Sequence, residues 1–222
     1  MGIFFYTPQR PGKGVKKDGP KLRRPFLFFS LLFENIWNFI KMNFLFFITA
    51  LPIVTLGPAI CGLTYYSRCV TDDLHVFLLS DYLEYFKKNF FKGIIASVIN
   101  IVPLLSLIMI FTNMNTVPHF KMFILPVLLV NLIIIMMSFY VYPMLITYDI
   151  PLWAVYKNAF IFTMAKLPIN LVIAAIFIGI IVLCFGFYLI IGFIAAAIIL
   201  FSLLNFITVF ALWPTIKKHM EE

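Results

Sequence analysis

The chain has 222 residues, 63% hydrophobic and 12% charged, with mean hydropathy +1.04 and a formal net charge of +8. A soluble domain carrying that much apolar surface would aggregate, whereas in a bilayer the 27 Phe and 10 Met are ordinary lipid-facing and helix-packing groups. Three cysteines, Cys61, Cys69 and Cys184, include no C-x-x-C pair and support neither a disulfide framework nor a four-ligand metal site; they read as small apolar packing residues.

Residues 1–25 form a polar, Pro/Gly-rich arm with seven Lys or Arg and one acid, Asp18. The arm cannot bury a core, and it holds no apolar stretch of the kind a cleaved signal peptide needs. Its expected partner is the anionic inner leaflet, at about 1 kcal/mol for each basic residue near the surface. Nucleic acid is not expected, because a tethered arm meets lipid first. From Phe26 to Lys41 aromatics mix with Glu34, Asn35 and Asn38, and Trp37 suits headgroup level, so an interfacial helix is predicted to run into the bilayer.

The next stretch, TALPIVTLGPAICGLTYYSRCVTDD, is either one span or a hairpin. Pro52 and Pro58 lack an amide hydrogen, Gly57 tolerates unusual backbone angles, and Thr55 lies between them, so a turn is predicted at Pro52, Thr55, Gly57 and Pro58. Charge decides in favour of the turn. With a single crossing and the arm inside, nine Lys or Arg lie inside and eight outside; with a hairpin, sixteen lie inside and only Lys121 outside. The eight residues from Phe44 to Leu51 make about 12 Å of helix against about 30 Å of hydrocarbon. A full hairpin and a re-entrant loop therefore both remain open, and the turn is expected to be covered by the bundle.

Four later stretches are long and apolar enough to span: Gly93–Asn113, Met122–Leu145, Pro168–Tyr188 and Ile191–Trp213, the last two parted near Phe185 to Gly192. None contains Asp, Glu, Lys or Arg, which argues against a proton-coupled transporter. Asn100, Asn131 and Asn205 lie near mid-span and are candidate intramembrane polar groups, with interhelical hydrogen bonding as their default role. Between the turn and the first span, Asp72, Asp73, Asp81, Lys87, Lys88 and Asn89 are candidates for contact with a cytoplasmic partner, on a loop whose charges largely neutralise one another. His75, His119 and His219 are far apart and read as loop residues; no metal, cofactor or nucleophile–base pair is expected.

PGKGVKKDGPKLRRPFLFF, NFLFFITALPIVTLGPAICGLTYY and FLLSDYLEYFKKNFFKGI resemble the YesL family of bacterial membrane proteins, a family of unknown molecular function widespread in Firmicutes. The likeness is strongest from Asn43 to Gly93, in Asn43, Pro52, Thr55, Gly57, Pro58, Ala59, Asp81 and Phe86 to Phe90, and weak after Asn113. It implies a small polytopic plasma-membrane protein encoded near carbohydrate-uptake ABC transporters and two-component sensors, with no known catalytic residue.

The expectation is thus an all-α, polytopic transmembrane helical bundle of four clear spans plus an N-terminal proline-broken hairpin or re-entrant element. Residues 26–222 form one domain, and both termini are cytoplasmic. Its expected role is that of a non-catalytic accessory or assembly component of a carbohydrate-uptake ABC-type system, with a permease or sensor as partner. The alternative is a small channel or transporter with its site at Leu51–Ala59.

Overall fold

A computed structural model describes residues 23–113, 120–186 and 189–220, and these are helical apart from short connections, with no strand among them. Helices are the expected outcome for an apolar chain, since hydrocarbon offers the backbone no partners and a helix satisfies its own amides. The arm at residues 1–22 and its predicted lipid contact lie outside the described residues, as do His119 and the side chain of Lys121.

The predicted interfacial helix is divided. Helix α1 (Arg24–Glu34) and α2 (Ile36–Ala50) meet at 69°. The break falls at Asn35, whose backbone N–H and side-chain amide both donate to the Leu31 carbonyl, at 3.2 and 3.0 Å. Phe28 of α1 stacks on Phe206, while Phe26, Phe29 and Phe33 are exposed on the other side of the helix.

Ala50 ends α2, Pro52 is extended, a 3-10 turn covers Ile53–Thr55, and α3 (Leu56–Thr71) returns. The turn forms at Pro52 to Thr55; the expectation that Gly57 and Pro58 belong to it is corrected, since both lie in the first turn of α3 and Gly57 has no positive φ. The Thr55 hydroxyl lies 2.5 Å from the Thr49 carbonyl and 2.7 Å from that of Pro52, which closes the loop on itself. Its expected cover is corrected: Leu51 to Val54, including Pro52, are exposed, and burial begins only at Gly57. Self-satisfaction explains this, because Pro52 has no amide hydrogen to hide and Thr55 serves the carbonyls.

From Gly57 onward α3 is the axis of the molecule, buried from Gly57 to Val70 on most of its circumference and packed against α2 and against several of the helices that follow it among the described residues. These are α4 (Leu78–Lys88), α5 (Phe90–Asn113), α6 (Phe120–Thr147), α7 (Leu152–Ala165), α8 (Leu167–Gly186), α9 (Leu189–Ala195) and α10 (Phe201–Met220). A π turn, Ala196–Leu200, links the last two. Four segments are long and apolar enough to cross a membrane: Phe90–Ile110, Met122–Thr147, Leu167–Cys184 and Gly192–Met220. They match the predicted spans to within a few residues at most ends.

Three expectations are corrected here. The loop predicted around Asp81 folds into α4, and the connection left between the predicted spans Met122–Leu145 and Pro168–Tyr188 folds into α7. His219, read as a loop residue, sits in the last turn of α10 with Nδ1 2.9 Å from the Thr215 carbonyl and its ring on Phe162.

Candidate functional site

Three places could carry function: the broken segment, the charged end of the bundle, and the polar groups between the spans. At the first, Gly57 and Gly93 let two backbones touch. A Cβ on Gly57 would lie 1.8 Å from the Gly93 carbonyl oxygen, and one on Gly93 would lie 2.7 Å from the Pro58 nitrogen. Pro58 and Gly57 are thus packing residues, and no solute fits between them and α5. Tyr82 of α4 lies against Gly62, and its hydroxyl is 2.6 Å from Thr49 Oγ1 and 3.3 Å from the Ala59 carbonyl. One phenol therefore fastens α4 to both arms of the hairpin. Burial pushes its pKa up, so the hydroxyl stays neutral.

The charged end is built from the ends of α3, α6 and α10 and the start of α5. The Arg68 guanidinium lies between the rings of Tyr65 and Trp213, 5.3 Å from each, and donates to Thr147 Oγ1 at 2.8 Å. Asp72 accepts from Trp213 Nε1 at 2.9 Å and pairs with Lys217 at 3.7 Å. Lys92 pairs with Asp149 at 3.3 Å. The structure thereby brings together basic residues that the charge count had put on one side from sequence alone.

The six partner-loop candidates divide into two groups. Asp72 is occupied by Trp213 and Lys217; Asp81 accepts the Phe77 N–H at 2.9 Å and so caps α4; Asn89 is buried and donates to the Tyr85 carbonyl. These three hold the fold. Asp73, Lys87 and Lys88 are exposed, as are Leu74, Phe77 and Leu79 at the other end of α4 from the two lysines, and the Lys88 ammonium lies 5.6 Å from the centre of the Tyr85 ring. Asp73 has φ 53°, the left-handed turn that ends α3, a conformation aspartate accepts better than most residues.

Of the three mid-span asparagines, two join networks. Asn205 Nδ2 donates to Thr64 Oγ1 at 3.0 Å, and Asn100 Nδ2 to Tyr142 Oη at 3.3 Å. Asn131 donates to the Val127 carbonyl of its own helix. Thr64, Tyr142 and Asn205 line a cavity of about 130 Å³ between α3, α6, α8 and α10. Thr64 precedes Arg68 by four residues of helix and Asn205 precedes Trp213 by eight, which puts the cavity about 6 to 12 Å from the charged end. The residue without a predicted role is Asn43, which is fully buried. Its amide donates to the Ala196 and Ala197 carbonyls at 2.8 and 2.9 Å, and its Oδ1 accepts the Ser202 N–H at 3.1 Å. It satisfies backbone groups around the π turn; a lone amide inside the apolar run NFLFF was the signal.

Among the described residues, no group of three or more His, Cys, Asp or Glu is placed to hold a metal ion. No curated protein and no solved structure matches the chain. Residues 39–114 match the model of a family described as a protein of unknown function, DUF624. That segment runs from α2 through the turn, α3 and α4 to the end of α5, so what the family pattern spans is the hairpin, the Gly57–Gly93 contact and the Tyr82 fastening.

Proposed function

We propose that this multi-pass membrane protein is a non-catalytic accessory or assembly component of a carbohydrate-uptake ABC-type transport system in the plasma membrane, with both termini cytoplasmic. The observation that carries the reading is the outer face of α4 and the turn before it. Asp73, Glu84, Lys87 and Lys88 are exposed along it, as are the apolar Leu74, Phe77 and Leu79, on a helix locked to the hairpin by Tyr82. A rigid exposed face that mixes apolar anchors with charges of both signs suits a protein partner. The YesL resemblance of Asn43 to Gly93 points to a permease or sensor as that partner, and the basic arm would hold the complex against the anionic leaflet.

The test is purification of the tagged full chain from its native membrane, beside a variant carrying Leu79→Ser, Lys87→Glu and Lys88→Glu. A permease of the ABC class is expected to accompany the first and to be lost from the second. Sugar-dependent flux in liposomes holding this chain alone would overturn the reading. A small channel or transporter is the second reading, and the cavity at Thr64, Tyr142 and Asn205 favours it. The Leu51–Ala59 segment does not, since its tip faces outward and its base is closed on Gly93.

A further inference from the structure

The cavity between α3, α6, α8 and α10 is walled largely by carbon, and its hydroxyls, apart from that of Tyr142, which accepts from Asn100, offer acceptors rather than donors. The hydroxyls of Thr64, Ser138 and Thr208 donate to carbonyls of their own helices, at 2.7, 2.6 and 2.8 Å, so only their lone pairs remain. Asn205 spends an amide hydrogen on Thr64, while its Oδ1 is buried and meets no donor. Pro143, also on the wall, has no N–H to give the carbonyl of Phe139 one turn earlier. One turn beyond Thr64, Ser67 is fully buried with its hydroxyl unpartnered. An acceptor left without a donor in an apolar interior is costly, and a guest that brings one donor relieves that cost.

No charged side chain lines the cavity, so an ion would enter without a counter-charge. A volume of about 130 Å³ is close to that of cavities of about 150 Å³ that hold benzene, so the guest has roughly six or seven heavy atoms. Phe201, on the wall and 38% exposed, marks a way in from the lipid beside α10. It directly follows the π turn, a departure from α-helix that often accompanies functional sites. We propose that this cavity is a binding site for a small neutral alcohol, its compact apolar body against the carbon walls and its hydroxyl donating to Asn205 Oδ1. The proposal is independent of the accessory reading.

The test uses the full chain in detergent and a diazirine-bearing alcohol the size of cyclohexanol, with adducts located by mass spectrometry. Adducts are expected on the cavity-lining parts of α3, α6 and α10. Excess cyclohexanol should displace them at least about tenfold better than methylcyclohexane, which has similar size and no hydroxyl. Asn205→Leu, nearly equal in volume, should lower labelling about tenfold, while Asn131→Leu, at an amide bonded within its own helix, should leave it unchanged. Equal displacement by the two competitors would overturn the role of the hydroxyl. Labelling spread evenly over α5 and α7, which line no part of the cavity, and displaced by neither, would overturn the site itself. The competition on the unaltered chain decides the matter even if Asn205→Leu fails to fold.

Discussion

Gly57 and Gly179 look alike in the sequence, each a glycine within an apolar helix, yet a Cβ at Gly57 would strike the Gly93 carbonyl and one at Gly179 would meet nothing within 4 Å. Alanine at Gly57 is therefore expected to destabilise the protein by about 3 kcal/mol, because backbone must move. Alanine at Gly179 should be neutral or stabilising by up to about 1 kcal/mol through helix propensity. Unfolding of both variants in detergent checks the pair, and equal effects would refute the close α3–α5 contact. Arg68 makes a second residue-scale case. Lysine there keeps the charge but loses the flat group that fills the space between Tyr65 and Trp213, so Arg68→Lys should cost about 1 to 2 kcal/mol, measured by the same unfolding. A silent Arg68→Lys would mean that charge alone matters.

At the scale of elements, α4 depends on Tyr82. Removing its hydroxyl with Tyr82→Phe should weaken docking by about 1 kcal/mol and raise hydrogen exchange in α4 more than in α6. The raised pKa also predicts a pH dependence. Because the folded-state pKa lies above the ordinary value of 10.0, the contribution is complete below that value and is lost as pH climbs through the folded one. An alkaline rise in α4 exchange that is present in the unaltered chain and absent in Tyr82→Phe is the expected result. Helices α4 and α7 were not legible in the sequence because neither has an apolar run long enough to cross a membrane. Each becomes a helix by packing on a neighbour: α4 on α3, and α7 on α6. The split of α1 from α2 was hidden for a related reason, since Asn35 is one polar residue among several and only its bonds to Leu31 mark it as the break.

For the whole molecule, the ion pairs and hydrogen bonds at the charged end gather the ends of α3, α6 and α10 with the start of α5. Single cysteines at Ser80 or Lys218, in a variant whose three native cysteines are replaced, should then react from the same side of the membrane. Both should resist an impermeant reagent outside intact cells and react once the inner face is opened. Labelling of the two from opposite sides would break the hairpin topology.

Composition and pattern alone determined the class of the molecule, the four spans and the position of the turn. The reason is that lipid imposes constraints readable in one dimension: length of apolar run, absence of charge, and the backbone chemistry of Pro52. Those constraints act on each segment separately, so they carry over from sequence to structure. What only tertiary structure decided was the use of the polar residues. Asn205, Asn100 and Asn131 are alike as mid-span amides, but Asn205 met Thr64 across a cavity, Asn100 met Tyr142, and Asn131 turned back on its own helix. Asp72, Asp81 and Asn89 were equally indistinguishable from Asp73, Lys87 and Lys88 until packing tied the first three inside and left the others exposed. A hydrogen bond needs two partners at about 3 Å, and the partner of Thr64 lies 141 residues away along the chain.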